Sequence, residues 1–207
     1  MIITNPEEIE EKSFQIIKKE LAEKNIAVNP EFDFIIHRII HTTADFNFAE
    51  ITEIHKDALS SIVTAIKSGS EIYADTNMIV AGVNKKKLEE YGSNIYTLIS
   101  NEIVVAKSRE TGLTRSIIGM EKACEDDKTK IFVVGNAPTA LFKLSEMIQK
   151  GLAKPACIIG VPVGFVGAAE SKEEIKKCGI PYIVTNGRKG GSTIAAAILN
   201  AILYNMN

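Results

Sequence analysis

The residues best suited to binding anions are few and fall in distinct places. Of the 24 basic residues only four are arginines, Arg38, Arg109, Arg115 and Arg188. A guanidinium group binds a carboxylate through two parallel hydrogen bonds, whereas a lysine ammonium is a strongly hydrated point charge. A chain that uses lysine elsewhere and arginine at these positions is expected to bind a ligand with several negative charges. The alternative is four surface arginines that share no role.

The three histidines, His37, His41 and His55, are the candidates for acid–base chemistry. His41 begins the run His-Thr-Thr-Ala-Asp at the end of an apolar helix, where polar neighbours can orient its ring. Because imidazole titrates near neutral pH, His41 is the best candidate for a general acid or base. His37 and His41 have the spacing of a two-histidine metal site, but the glutamate of that motif and a third ligand are missing, so we expect no metal. His37 and His55 are interpreted as structural.

Polar and glycine-rich segments follow the predicted strands, and in an open parallel sheet ligands bind beyond the carboxyl ends of the strands. Glycine lets the backbone approach a ligand, and the helix N-terminus that follows attracts anions. Tight strand-to-helix turns would also use glycine, but five such segments on one edge favour a ligand site. The predicted strands span 71–74, 103–106, 130–134, 156–161 and 182–184. The candidate substrate-binding residues are Thr42, Asp75, Thr76, Arg109, Arg115, Asn136, Gly164, Phe165 and Arg188.

The elements that must position these residues follow from capping signals and periodicity. Asn5 and Pro6 mark a helix start, and apolar residues then recur at helical spacing. Three consecutive strand–loop–helix units in the last third predict a parallel sheet with helices on both faces. We therefore predict an α/β fold. It is expected to be a single domain over 1–207, with a mostly parallel sheet flanked by helices and a helical N-terminal portion. Further predicted helices span 32–40, 55–67, 84–91, 114–124 and 172–178.

Composition excludes several classes of protein. The 207 residues are 45% hydrophobic and 24% charged, with a net charge of −2, which is typical of a globular chain and not of a disordered one. The lack of a basic excess argues against nucleic acid as a partner. No apolar stretch reaches the ~20 residues that span a bilayer, so no membrane association is expected. The polar N-terminus does not have the pattern of a signal peptide, and three scattered cysteines favour a reduced, cytoplasmic setting.

Six segments, in order along nearly the whole chain, together resemble the precorrin-8X methylmutase family, which includes cobalt-precorrin-8 methylmutases. Each motif alone is weak, and their order and spacing make the resemblance specific. The segments are residues 38–45 (RIIHTTAD), 74–78 (ADTNM), 108–116 (SRETGLTRS), 135–141 (GNAPTAL), 160–166 (GVPVGFV) and 186–192 (NGRKGGS).

The resemblance implies an isomerase of corrin synthesis that moves a methyl group from C11 to C12 of a tetrapyrrole. The product is hydrogenobyrinic acid or, with cobalt, cobyrinic acid, and either substrate remains open. It also implies no separate cofactor and a homodimer with the site near the subunit interface. The catalytic histidine of the family matches His41. Its substrate-contacting arginine and serine match Arg38 and Ser13.

Two alternatives remain at this point. A noncatalytic corrinoid-binding carrier could share the arginines and glycine loops, but it would need no histidine beside the ring. An acyl or phosphoryl transferase could use residues 135–139 as an anion cradle, but the chain offers no convincing nucleophile or magnesium-binding pair. The chain also lacks the P-loop, the GxSxG elbow and the GxGxxG fingerprint.

Overall fold

A six-stranded sheet forms the centre of the computed structural model, which describes residues 4–206. Positions 1–3 of the predicted polar N-terminus and both ends of the predicted 1–207 domain lie outside the described residues. Strands β2 to β6 run parallel to one another and β1 is antiparallel to β6, so the α/β prediction is confirmed. The strands, in the sheet order β1-β6-β5-β4-β2-β3, are β1 (Thr52–Ile54), β2 (Glu71–Ala74), β3 (Asn94–Tyr96), β4 (Thr129–Val134), β5 (Cys157–Gly160) and β6 (Tyr182–Thr185).

Helices connect the strands and cover both faces of the sheet. In the described residues they are α1 (Pro6–Glu23), α2 (Asp33–Thr43), α3 (Phe48–Ile51), α4 (Ala58–Lys67), α5 (Asn77–Gly82), α6 (Lys85–Glu89), α7 (Glu102–Thr111), α8 (Arg115–Cys124), α9 (Pro138–Gln149), α10 (Ala168–Lys176) and α11 (Ser192–Asn205).

Alternating side chains of the buried strands divide the core into two layers. On β4, Ile131 and Val133 pack against α2, α4 and α11, whereas Phe132 and Val134 pack against α8, α9 and α10. Successive side chains of a strand point to opposite faces, and a strand covered on both faces is apolar throughout. This explains why the last third of the chain reads as short apolar runs.

The predicted helical N-terminal portion packs on this sheet through α2. The Asn5 side chain accepts the N–H of Glu7 at 2.9 Å, which confirms the predicted cap of α1. Ile17 and Leu21 of α1 bury themselves against α2, and α2 in turn packs against α11. The C-terminal end of α2 is thereby fixed beside the edge of the sheet.

The predicted strand at 103–106 is wrong, because these residues lie in α7. The side chain of Asn101 accepts the N–H groups of Ile103 and Val104 and so caps a helix. Within this helix Val104 is buried whereas Ile103 is 62% exposed, so the short apolar run does not lie wholly in the core as a buried strand would. Residues 107–115 are consequently the end of α7 and the start of α8 and not a loop after a strand. The three-residue strands β1 and β3 were not predicted.

The sheet reverses its winding direction between β2 and β4. The chain leaves β2 toward β3 on one side, and leaves β4 toward β5 on the other. In open parallel sheets, ligands bind at such a switch point, outside the carboxyl ends of the two strands. The segments that follow β2 and β4 begin with Asp75 and Gly135.

Candidate active site

A groove of about 330 Å³ lies between α2, α5 and α11. Its volume is at the lower end of the range of small-molecule sites, roughly 300–1,000 Å³. Arg38, His41 and Thr42 line one wall, so the structure brings three of the predicted site residues together. The opposite walls consist of residues that sequence reasoning missed, since no local signal places α11 beside α2. They are Met78, Gly82, Thr193, Ala196, Ala197, Asn200 and Tyr204.

Arg38 is held between two aromatic rings. Its guanidinium carbon lies 4.9 Å from the ring centroid of Phe14 and 5.4 Å from that of Tyr204. The guanidinium also forms an ion pair with Glu10 of α1. Cation–π contacts and the ion pair fix the arginine, whose side chain is 19% exposed, in one orientation on the groove wall.

His41 is exposed in the last turn of α2, where the helix ends in a left-handed residue. Ala44 has φ 52°, and its N–H bonds to the Ile40 carbonyl, which stops the helix. The ring of His41 packs at 5.3 Å from Phe14, and Thr42 Oγ1 donates to the carbonyl of Arg38 at 2.8 Å. The imidazole therefore lines the groove from the last turn of α2.

Asp75 is buried at the switch point and binds the neighbouring loop. Its Oδ1 accepts the N–H of Gly135 at 3.0 Å, and its Oδ2 accepts those of Asn136 and Ala137 at 2.9 and 2.7 Å. The residue is 1% exposed, and this burial raises the pKa of its carboxyl group while the three N–H donors act in the opposite direction. Three N–H groups of the segment that the transferase alternative would use as an anion cradle are thus bound by the chain's own carboxylate.

Thr76 joins β2 to the start of α11. Its hydroxyl caps α5 by accepting the N–H of Ile79, and it lies 3.0 Å from the hydroxyl of Ser192. Asn136, next to the Asp75 contact, is exposed at the same edge. The edge between β2 and β4 therefore presents polar groups beside the groove that holds His41.

A second group of predicted residues lies after β5 and β6. The N–H of Gly164 donates to the carbonyl of Arg188 at 3.1 Å, and the Arg188 guanidinium carbon lies 5.5 Å from the ring centroid of Phe165. Phe165 and Val166 are 84% and 89% exposed. Lys189 reaches back from this loop and pairs with Asp45, just beyond the end of α2, at 2.6 Å.

The remaining predicted residues lie farther along the surface. Ser13 is on α1, next to Phe14, and its hydroxyl donates to the Ile9 carbonyl at 2.7 Å. Arg109 is exposed in the last turn of α7, and Arg115 at the start of α8 donates to the Ile99 carbonyl at 3.4 Å.

His37 and His41 face different cavities although they are one helical turn apart. His37 is buried, and burial lowers its pKa. It lines a neighbouring cavity of about 220 Å³ with Lys18 and Asp33, and Arg38 and Tyr204 line both this cavity and the groove. Within residues 4–206, no three His, Cys, Asp or Glu side chains are grouped as metal ligands. Over the same residues, no helix has both the length and the apolarity to cross a membrane.

Comparison with known proteins identifies relatives along nearly the full chain. Residues 8–205 match the family model described as precorrin-8X methylmutase. The cobalt-precorrin-8 methylmutase of Priestia megaterium is 43% identical over 97% of this chain and 88% of its own length. That of Leptospira interrogans is 46% identical, over 94% of this chain and 91% of its own. The crystal structure of precorrin-8X methyl mutase from Thermus thermophilus superposes with a TM-score of 0.85 at 36% identity, covering 95% of this chain and 96% of that one.

Proposed function

This chain belongs to the precorrin-8X methylmutase family and is an isomerase of corrin biosynthesis, and we propose that it moves a methyl group from C11 to C12 of the macrocycle of cobalt-precorrin-8. The observation that carries the proposal is the match of residues 8–205, which includes every residue of the groove. The two relatives that are 43% and 46% identical are both named for the cobalt substrate, which supports the cobalt form.

His41 is proposed as the general acid. The reaction breaks the C11–methyl bond and forms the C12–methyl bond within one molecule, so substrate and product are isomers and no redox partner is required. A proton or hydrogen bond from His41 to the ring favours the tautomer from which the methyl group migrates. General acid catalysis of this kind typically increases the rate roughly 10²–10⁴-fold.

The arginines are proposed to bind the acetate and propionate carboxylates of the substrate. Arg38 is fixed beside His41 at the groove. Within residues 4–206, Arg109, Arg115 and Arg188 form no ion pair with an acidic side chain, so their guanidinium groups are available to ligand carboxylates. Ser13, Thr42, Thr76, Asn136 and Gly164 are proposed as further contacts. The buried carboxylate of Asp75 favours a role in holding the loop over direct contact with substrate.

We further propose that the active form is a homodimer. A groove of about 330 Å³ on one chain is too small to enclose a tetrapyrrole, which is larger than the drug-sized ligands that such sites hold. Exposed apolar side chains are available near the site to pack against a second copy. They are Met78, Val163, Phe165 and Val166. Light scattering after size exclusion should give twice the chain mass of 22.6 kDa, and a monomer at assay concentration would contradict this proposal.

The test of the function is direct conversion. Purified protein is mixed with cobalt-precorrin-8 or precorrin-8X, and the visible spectrum is followed for the appearance of the corrin chromophore. We expect conversion by the wild type, at least 10²-fold slower conversion by His41→Ala, and wild-type rates for His55→Ala, whose ring lies at Tyr182 away from the groove. Unchanged turnover in His41→Ala would remove His41 from the mechanism. Binding without conversion by the wild type would favour the carrier alternative.

A further inference from the structure

Lys172, in the middle of α10, is fully buried. It has 0% exposure, and in the described part of the chain no carboxylate forms an ion pair with it. Lysine side chains are almost never fully buried unless they are paired. The buried ammonium group of Lys172 must therefore be satisfied by other polar groups of the protein.

The ammonium group is surrounded by oxygen atoms of the segment that follows β6. Lys172 Nζ donates to the carbonyls of Gly187 and Lys189 at 2.9 and 2.8 Å, and to Thr185 Oγ1 at 3.3 Å. An ammonium has three donors and no acceptor, so it matches three converging acceptors. No neutral side chain of this size supplies three donors at one point.

The two bound carbonyls are on either side of Arg188 and so determine how this residue is presented. With the carbonyls of Gly187 and Lys189 directed inward, the carbonyl of Arg188 accepts the N–H of Gly164, and its side chain lies over Phe165. Gly187 has φ +78°, a left-handed conformation that the loop needs to wrap around the ammonium. The same loop contains Lys189, whose side chain pairs with Asp45, four residues after His41.

We propose that Lys172 is a positioning residue that shapes residues 185–191 around its ammonium group and thereby orients Arg188 toward substrate. The loop geometry is independent of the reaction, whereas the consequence for substrate binding rests on the proposed function. Lys172 touches no substrate and acts through the backbone of the loop.

The first test measures the loop itself in the full-length protein. In Lys172→Met, we expect the amides of Gly164 and Gly191, which donate to Arg188 and Val161, to exchange with deuterium at least tenfold faster than in the wild type. The matched control is Lys177→Met, since Lys177 is exposed just after the end of α10 and pairs with Glu174. Equal exchange in Lys172→Met and the wild type would overturn the proposal.

The second test measures substrate binding. We expect Lys172→Met to raise KM about tenfold with less than a threefold change in kcat per folded molecule. In the double variant Lys172→Met/Arg188→Met, KM should exceed the KM of the more impaired single variant by no more than about twofold, because both substitutions remove the same contact with substrate. Fully multiplicative effects, or a lowered Tm with unchanged KM, would overturn the proposal.

Two further measurements apply if Lys172→Met does not fold or if the wild type shows no turnover. If Lys172→Met does not fold, Thr185→Val retains the lysine and removes one of its acceptors, together with the hydroxyl that donates to the Lys189 carbonyl, and it should still accelerate exchange at Gly164. Failure of this variant to change exchange would contradict the positioning role. Absence of turnover in the wild type would contradict the proposed function instead, and the exchange data alone would then decide the role of Lys172.

Discussion

Replacing Asp75 with Asn should destabilise the protein although it changes no more than one atom of the side chain. The carboxylate accepts three N–H groups with two oxygens, one donor on Oδ1 and two on Oδ2. An amide has one oxygen, so in its better orientation it leaves the N–H of Gly135 facing an NH2 group. A buried donor without a partner costs about 1–3 kcal/mol, and the two remaining bonds lose their charge assistance.

Part of this cost is offset, because the buried charge is removed as well. Burial raises the pKa of Asp75, which shows that the charged form is itself disfavoured there. We therefore expect a net loss of about 2 kcal/mol in the free energy of unfolding, or roughly 4–8 °C in Tm for a chain of this size. Urea unfolding at pH 7 measures it, with the exposed Asp127→Asn as the matched control. A difference below about 0.5 kcal/mol between the two variants would refute the reasoning.

Three other predictions concern the loop after β6 and the groove. Burial lowers the pKa of Lys172 to about 8, so this side chain binds its proton more tightly in the unfolded chain than in the folded protein. The stability of the wild type relative to Lys172→Met should therefore rise between pH 8 and 10, by at most about 3 kcal/mol, and a flat difference in urea titrations would contradict this. Gly190→Ala would place its Cβ 2.1 Å from the Val161 carbonyl, so we expect a loss of about 2 kcal/mol or more in the same assay, and no loss would contradict the close approach of the two loops. Glu10→Gln leaves Arg38 between Phe14 and Tyr204 but removes a carboxylate that competes with substrate for the guanidinium, so KM should fall up to about fivefold, and a raised KM would contradict this.

The layers of the fold, and the edge of the sheet at which the polar segments gather, could be predicted from sequence, because they depend on local patterns. Buried parallel strands appear as apolar runs, and the polar residues after them mark the carboxyl edge of the sheet. Where the apolar run was short, the prediction of a strand from it was wrong. Ile103 and its neighbours read as a strand, and only the cap at Asn101 shows that a helix starts there.

The contacts of individual site residues could not be predicted, because they depend on partners distant in sequence. Asp75 follows a strand as a ligand-binding acid would, yet its donors are 60 to 62 residues away. No feature of the sequence around Asp75 distinguishes an acid that binds a ligand from one that binds the backbone of the neighbouring loop. The same applies to Lys172, which a helical pattern would place on an exposed face, and to Tyr204, which reaches Arg38 only because α11 packs on α2.

The placement of charge in these contacts explains how a chain with a net charge of −2 can hold a site for a polyanion. At the switch point, the N–H groups of residues 135–137, just before α9, are already bound by Asp75, so they hold the loop in place. The arginines proposed to bind the anion have neighbours that restrict them: Arg38 packs on two aromatic rings, and Arg188 lies in the loop whose carbonyls Lys172 binds. A ligand with carboxylates around a flat ring would then find its cations already oriented, so less conformational entropy is lost when it binds.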